Sequence, residues 1–168
     1  MPGVEYSPNE FGRYGGGYVD FSDADASGTG FALPAGVPTQ LTRSLLSSSA
    51  NTRLNRPFNG HQFWDNTAKL IRGRALYDIV ATSMFVRVIP DKLGGVLRIA
   101  IQAGAIEVGG KNMAITAPVG SEESIRADFI FPVRNMLLTN GGKIILTATV
   151  PMTLVEFSPE FYPLGYEA

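Results

Sequence analysis

Between Leu76 and Phe157 apolar residues recur at every second position, in runs cut by glycine turns. Leu97, Ile99 and Ile101 alternate with Val96, Arg98 and Gln102, and Ile125, Ala127, Phe129 and Phe131 alternate with Arg126 and Asp128. A period of two is that of a strand with one face buried and the other wet. No 3.6-residue pattern of comparable length competes with it. Charged residues make up 17% of the chain against about 25% ordinarily, and there are 19 glycines. Both facts favour a turn-rich, all-β domain over a helical one.

The run Leu76–Ile89 exceeds an ordinary strand of about five or six residues, which predicts a bend near Ser83. Turns are predicted at Asp91–Gly95, Gly109–Asn112 and Asn140–Gly142, with RNMLLT crossing between sheets. Earlier in the chain, short strands are predicted at Tyr18–Phe21, Phe31–Leu33 and Val37–Thr42, then a polar loop over Ser44–Gly60 and a strand, turn and strand over QFWDNTAKLI. Strands spaced in this way argue for a sandwich or barrel. Trp64 reads as a core anchor. The expected organisation is a flexible or extended N-terminal arm over 1–17, either a disordered tail or an arm ordered on a neighbouring subunit, then a β domain over 18–157 and a tail over 158–168.

In KIILTATV, Ile144, Leu146 and Ala148 lie on one face while Ile145, Thr147 and Thr149 lie on the other, so neither face is polar. Phe129 and Phe131 share a strand with apolar Ile130. Strands of this kind are covered on both sides, by an element of the same chain or by another subunit, and some self-association is expected through Phe129, Phe131, Ile145 and Thr147.

Chemistry has little to work with. The chain has no cysteine and one histidine, His61, and no GxSxG elbow surrounds its serines. Nucleotide loops, HExxH and CxxC are missing, and GGG at 15–17 has no helix following it. Glu122 and Glu123 are adjacent and point to opposite faces of a strand, the wrong layout for a glycosidase pair. Asp20, Asp23 and Asp25 crowd one loop but lack EF-hand spacing, so they read as a solvated turn without metal. Arg43, Arg53 and Arg56 read as scattered, solvated cations. A net charge of −1 gives no support to a nucleic-acid partner. The opening MPGVEYSPNE has no secretory pattern, and no run of 18 apolar residues marks a membrane span. The expectation is a non-enzymatic protein without cofactor, made soluble inside a cell.

The order of parts resembles the small jelly-roll proteins of tailed-bacteriophage virions, the trimeric head-decoration (cement) proteins and fibre or tail tip domains. The resemblance runs from YVDF and GFALPAGVPTQLT through FWDNTAKLI and VATSMFVRVIP to LRIAIQAGAIEV, IRADFIFPV and NGGKIILTA; the polar insertion Ser44–Gly60 departs from it. It implies an antiparallel jelly-roll β-sandwich assembled as a homotrimer, with a structural role on the capsid surface after synthesis in the host cytoplasm. No stalk of heptads or repeats precedes the domain, which favours decoration over a fibre tip. Residues 1–17, with Tyr6, Phe11 and Tyr14 as aromatic anchors, are then the expected contact with the major capsid protein. The competing reading is a tail or fibre-tip module that binds a receptor or glycan, for which His61, Phe63 and Trp64 form the one aromatic cluster.

Overall fold

A computed structural model describes residues 17–25, 30–47, 54 and 57–165. Tyr6, Phe11, Tyr14, Arg53 and Arg56 lie outside the described residues. The elements are β1 (Val19–Asp23), β2 (Phe31–Leu33), β3 (Thr39–Gln40), β4 (Leu45–Ser47), β5 (Trp64–Asp65), β6 (Leu70–Ile71), β7 (Ile79–Pro90), β8 (Val96–Ala103), β9 (Ile106–Ala114), β10 (Glu123–Pro132), α1 (Asn135–Asn140), β11 (Lys143–Ala148) and β12 (Met152–Gly165).

One sheet runs β10-β7-β12-β1-β4, with β2 also paired to β12, and the other runs β3-β11-β8-β9. From β7 onward the chain crosses between them: β7 in the first, β8 and β9 in the second, β10 in the first, β11 in the second and β12 in the first. Every strand pairing is antiparallel. These are jelly-roll connections.

The alternation read from sequence is what fills the space between the sheets. Leu97, Ile99 and Ile101 of β8 and Ile144, Leu146 and Ala148 of β11 are fully buried, and they share one core cluster with Val80, Met84, Val86 and Val88 of β7. Phe161 of β12 stacks on Phe63 at 5.3 Å and meets the edge of Phe21 at 5.8 Å. Trp64 is buried and donates its indole N–H to Asn66 at 3.0 Å.

Three boundaries differ from the sequence reading. First, β12 continues to Gly165, so residues 158–165 belong to the sheet where a tail was expected. Pro159 and Pro163 hid this. The Phe157 N–H points away from β7 toward Asp23, and by the two-residue period the proline nitrogens lie on that same side. The ladder with β7 therefore loses no donor.

Second, Gly109–Asn112 lies inside β9, and the chain reverses at Gly104, whose φ is +59°. A Cβ on Gly110 would meet the flexible ends of the Arg98 and Glu107 side chains, which would have to move aside. Third, β7 pairs β10 in unbroken register through Ser83. The irregularity lies in its partner, where β12 inserts Val155 between the residues opposite Val88 and Arg87.

Candidate functional site

The outward face of the larger sheet carries a connected set of polar and aromatic side chains. Register places Asp128, Ser83, Glu160 and Asp20 opposite one another across four strands. On either side run Arg126, Phe85 and Ser158, and Ile130, Ala81 and Tyr162.

Side chains in this face satisfy one another. Arg126 donates to Asp128 at 2.8 Å and to the Ser83 hydroxyl at 2.6 Å, and Ser83 donates to Asp128 at 2.5 Å. That cover leaves Ser83 buried although it points outward. The Ser83 hydroxyl and then Arg126 hold the Asp128 carboxyl below its ordinary range. Burial and a hydrogen bond donated to Glu160 push the Tyr162 phenol up to about 12. Tyr18 lies 6.1 Å from Tyr162, and the Arg126 guanidinium sits 5.0 Å above the Phe85 ring. At the sheet margin, Arg87 bridges Glu156 at 2.9 Å and Glu122 at 3.4 Å.

Apolar surface lies among these charges. Ile130 is 71% exposed, Ile79 42% and Phe85 38%. A face of this composition is suited to recognition by contact: aromatic and aliphatic area for burial, with charges to fix register.

The residues expected at a self-contact separate. Phe129 and Phe131 pack inside the chain, 8% and 2% exposed, because they share β10's inward face with Ala127. This corrects their placement at a surface; on β10 the outward apolar residue is Ile130. Ile145 and Thr147 do lie on an outward face, that of the smaller sheet, half-buried beside Arg98, Ala100 and Gln102 in a depression of about 330 Å³. The two pairs are thus on different sheets.

The other candidates are structural. Asp23 is buried, correcting the solvated-turn reading. It accepts N–H bonds from Asp25 at 2.8 Å and Phe157 at 3.0 Å and lies 3.6 Å from Arg43. Arg43 is buried too, so it is no solvated cation. Asp20 leaves β1 on the opposite face from Asp23. Glu122 turns to Arg87, whereas Glu123 caps the turn at Thr116 and Ala117 by accepting their main-chain N–H groups at 2.6 and 2.7 Å. Burial pushes the Glu123 carboxyl up, but these bonds leave it below its ordinary value.

His61 donates Nε2–H to the Arg72 carbonyl at 2.9 Å and stands edge-on to Phe63 at 4.6 Å. Phe63 and Trp64 are both buried, so this cluster offers no aromatic platform to a glycan. Sequence reasoning missed Arg126, Ser83 and Tyr162. The signal was present in the polar half of IRADFIFPV, but the partner strand beyond Phe157 was not recognised.

The fold and this face define an antiparallel jelly-roll sandwich with one sheet surface suited to contact. No family model matches the chain, and no curated protein matches it. Among solved structures it is similar to Eiger TNF from S. frugiperda, with a TM-score of 0.56 at 8% identity, covering 93% of this chain and 96% of that one. It also aligns with PRD1 vertex protein P5, with a TM-score of 0.49 at 12% identity over 89% of this chain and 97% of that one. At 8% identity the first likeness speaks for the jelly-roll fold alone.

Proposed function

We propose that this chain is a non-enzymatic structural virion protein, a head-decoration protein that binds and stabilises the outside of a phage capsid as a homotrimer. The observation that carries the association is the outward face of the larger sheet, where Ile130, Ile79 and Phe85 expose apolar area beside the Tyr18–Tyr162 pair. Apolar side chains exposed among charges in this way suit a contact surface. The threefold count and the capsid come from the resemblance in strand order to trimeric cement proteins. A structural role accords with carboxylates and arginines that are spent on one another or on main-chain groups. In this reading Tyr6, Phe11 and Tyr14 of residues 1–17 meet the major capsid protein. Each docked arm of a trimer then raises the effective concentration of the next.

The test has two arms. Light scattering at micromolar concentration is expected to give three times the chain mass, and Ile130→Glu is expected to reduce it, because an unpaired charge buried in a contact costs several kcal/mol. A wild-type monomer overturns the association. Undecorated heads are expected to bind the full chain but not a variant lacking residues 1–17; equal binding overturns the arm's role, and labelling only at the tail overturns the location.

A further inference from the structure

Where β7 begins and β10 ends, an apolar groove of about 530 Å³ opens at one end of the sandwich, walled by Leu76, Tyr77, Ile106, Val108, Pro132 and Met136. Tyr77 and Ile106 are 59% and 54% exposed. Tyr77 has φ +63°, a left-handed conformation that a bulky side chain adopts at a cost. Main-chain bonds hold it there: the Tyr77 N–H donates to the Val133 carbonyl and the Val133 N–H to the Asp78 carbonyl, each at 2.7 Å. The backbone is thus fixed in a strained form that stands an aromatic ring at the groove, away from the core. Strain kept at an exposed residue points to use.

Two charges flank the groove. Arg134 makes no ion pair among the described residues, and Glu107 engages Arg98 through one oxygen only, at 2.5 Å.

The N-terminal segment enters the fold at this same end. Gly17 precedes β1, whose Val19 stands opposite Phe161, and further along β12 Gly165 stands opposite Ile79, the first residue of β7. In the sheet order β1 lies two strand spacings from β7 and three from β10, about 10–14 Å. Extended chain covers about 3.3 Å per residue. From Gly17, three residues of extended chain span at most about 10 Å and six about 20 Å, so the groove is within the length of a segment that includes Phe11. Glu10 and Arg13 flank Phe11 in sequence, as Arg134 and Glu107 flank the groove in space, with opposite signs.

We infer that the groove is the seat of the chain's own N-terminal segment, with Phe11 in the apolar slot, Glu10 toward Arg134 and Arg13 toward Glu107. The seat does not depend on the capsid reading. If both hold, an arm must leave its groove before it reaches a capsid, so the free protein keeps its aromatic anchors covered.

The chain has no cysteine, so an introduced pair reports without background. Phe11→Cys with Met136→Cys, oxidised mildly in the full chain, is expected to give an intrachain disulfide that runs as a compact monomer on a non-reducing gel. Phe11→Cys with Leu93→Cys, at the opposite end of β7, is expected to stay reduced. Equal reactivity of the two pairs, or a product bridging two chains, overturns the inference.

Trypsin cleavage after Arg13 gives a second reading. Where opening is fast, cleavage follows the population of the open form, so Ile106→Glu is expected to speed release of the segment about tenfold, with Phe11→Ala doing the same. Ile106 is mostly solvent-facing, so the fold should survive its replacement, as a circular-dichroism melt would verify. Unchanged cleavage in both variants overturns the seat.

Discussion

The Asp23 carboxylate accepts the main-chain N–H of Phe157 at 3.0 Å, just past the point where β12 carries one residue more than β7. A bulge leaves main-chain groups off the ladder, and buried groups of that kind must find partners elsewhere. Arg43 supplies them. Its guanidinium donates to the Leu154 carbonyl at 3.0 Å and to that of Asp25 at 2.9 Å, with the Val155 carbonyl 3.4 Å away. Asp23 and Arg43 therefore join the β1 turn, the segment before β4 and the irregular stretch of β12.

Removing one member leaves the other as a buried, uncompensated charge. Asp23→Ala and Arg43→Ala are each expected to cost about 3–5 kcal/mol. The double variant should cost clearly less than the sum, because the second substitution removes a charge already stranded by the first. Urea unfolding midpoints of the three variants check this.

Adjacent residues on β10 should behave oppositely. Phe131 is buried, so Phe131→Ala leaves a cavity and is expected to destabilise the fold by about 3–5 kcal/mol. Ile130 is exposed and makes no comparable core contact, so Ile130→Ser should preserve the far-ultraviolet circular-dichroism spectrum while lowering the mass of the assembly in light scattering. A loss of secondary structure in Ile130→Ser would place this residue in the core function of its neighbour.

His61 predicts a pH slope. Burial pushes the imidazole below its ordinary value, more than the bond to the Arg72 carbonyl pulls it back up. The unfolded chain therefore takes up a proton first as pH falls, and stability is lost from about pH 6.5 downward to the folded pKa. Above that window His61 contributes no slope. His61→Gln should flatten the dependence of unfolding free energy between pH 7.5 and 5, measured by denaturant titration at each pH. An unchanged slope would assign it to other groups.

The strands that alternate cleanly were legible because one face of each meets the core, as Leu97, Ile99 and Ile101 do. Ile145 and Thr147 could also be placed on the outward face of their strand. Phe129 and Phe131 were misplaced because Ile130 between them made both faces look buried; only register tells which side the sandwich occupies. The second half of β12 was lost to Pro159 and Pro163, whose missing donors matter only if the neighbour on that side needs them. Asp23 and Arg43 lie twenty residues apart in short, polar segments, and no periodicity could pair them. The outward face of the larger sheet inherits these gaps, since its Tyr162 and Glu160 sit on the unrecognised part of β12.

Tyr77 offers a way to separate strain from use. An L-residue in the left-handed region costs about 1–2 kcal/mol, which glycine avoids, while glycine's freer unfolded chain costs about 0.5–1 kcal/mol in return. The ring is 59% exposed, so little packing is lost. Tyr77→Gly should accordingly leave stability unchanged or raise it by up to about 1.5 kcal/mol. Tyr77→Ala keeps the strained backbone and loses the ring, so it should be the less stable of the two. Both variants remove a wall of the groove, and both should speed trypsin cleavage after Arg13 to a similar degree. The pairing of a stability gain with a looser N-terminal segment in Tyr77→Gly is the signature of a residue kept for contact. If Tyr77→Gly instead lowers the melting temperature and leaves cleavage unaltered, the ring serves packing, and the strain at this turn has no part in seating Phe11.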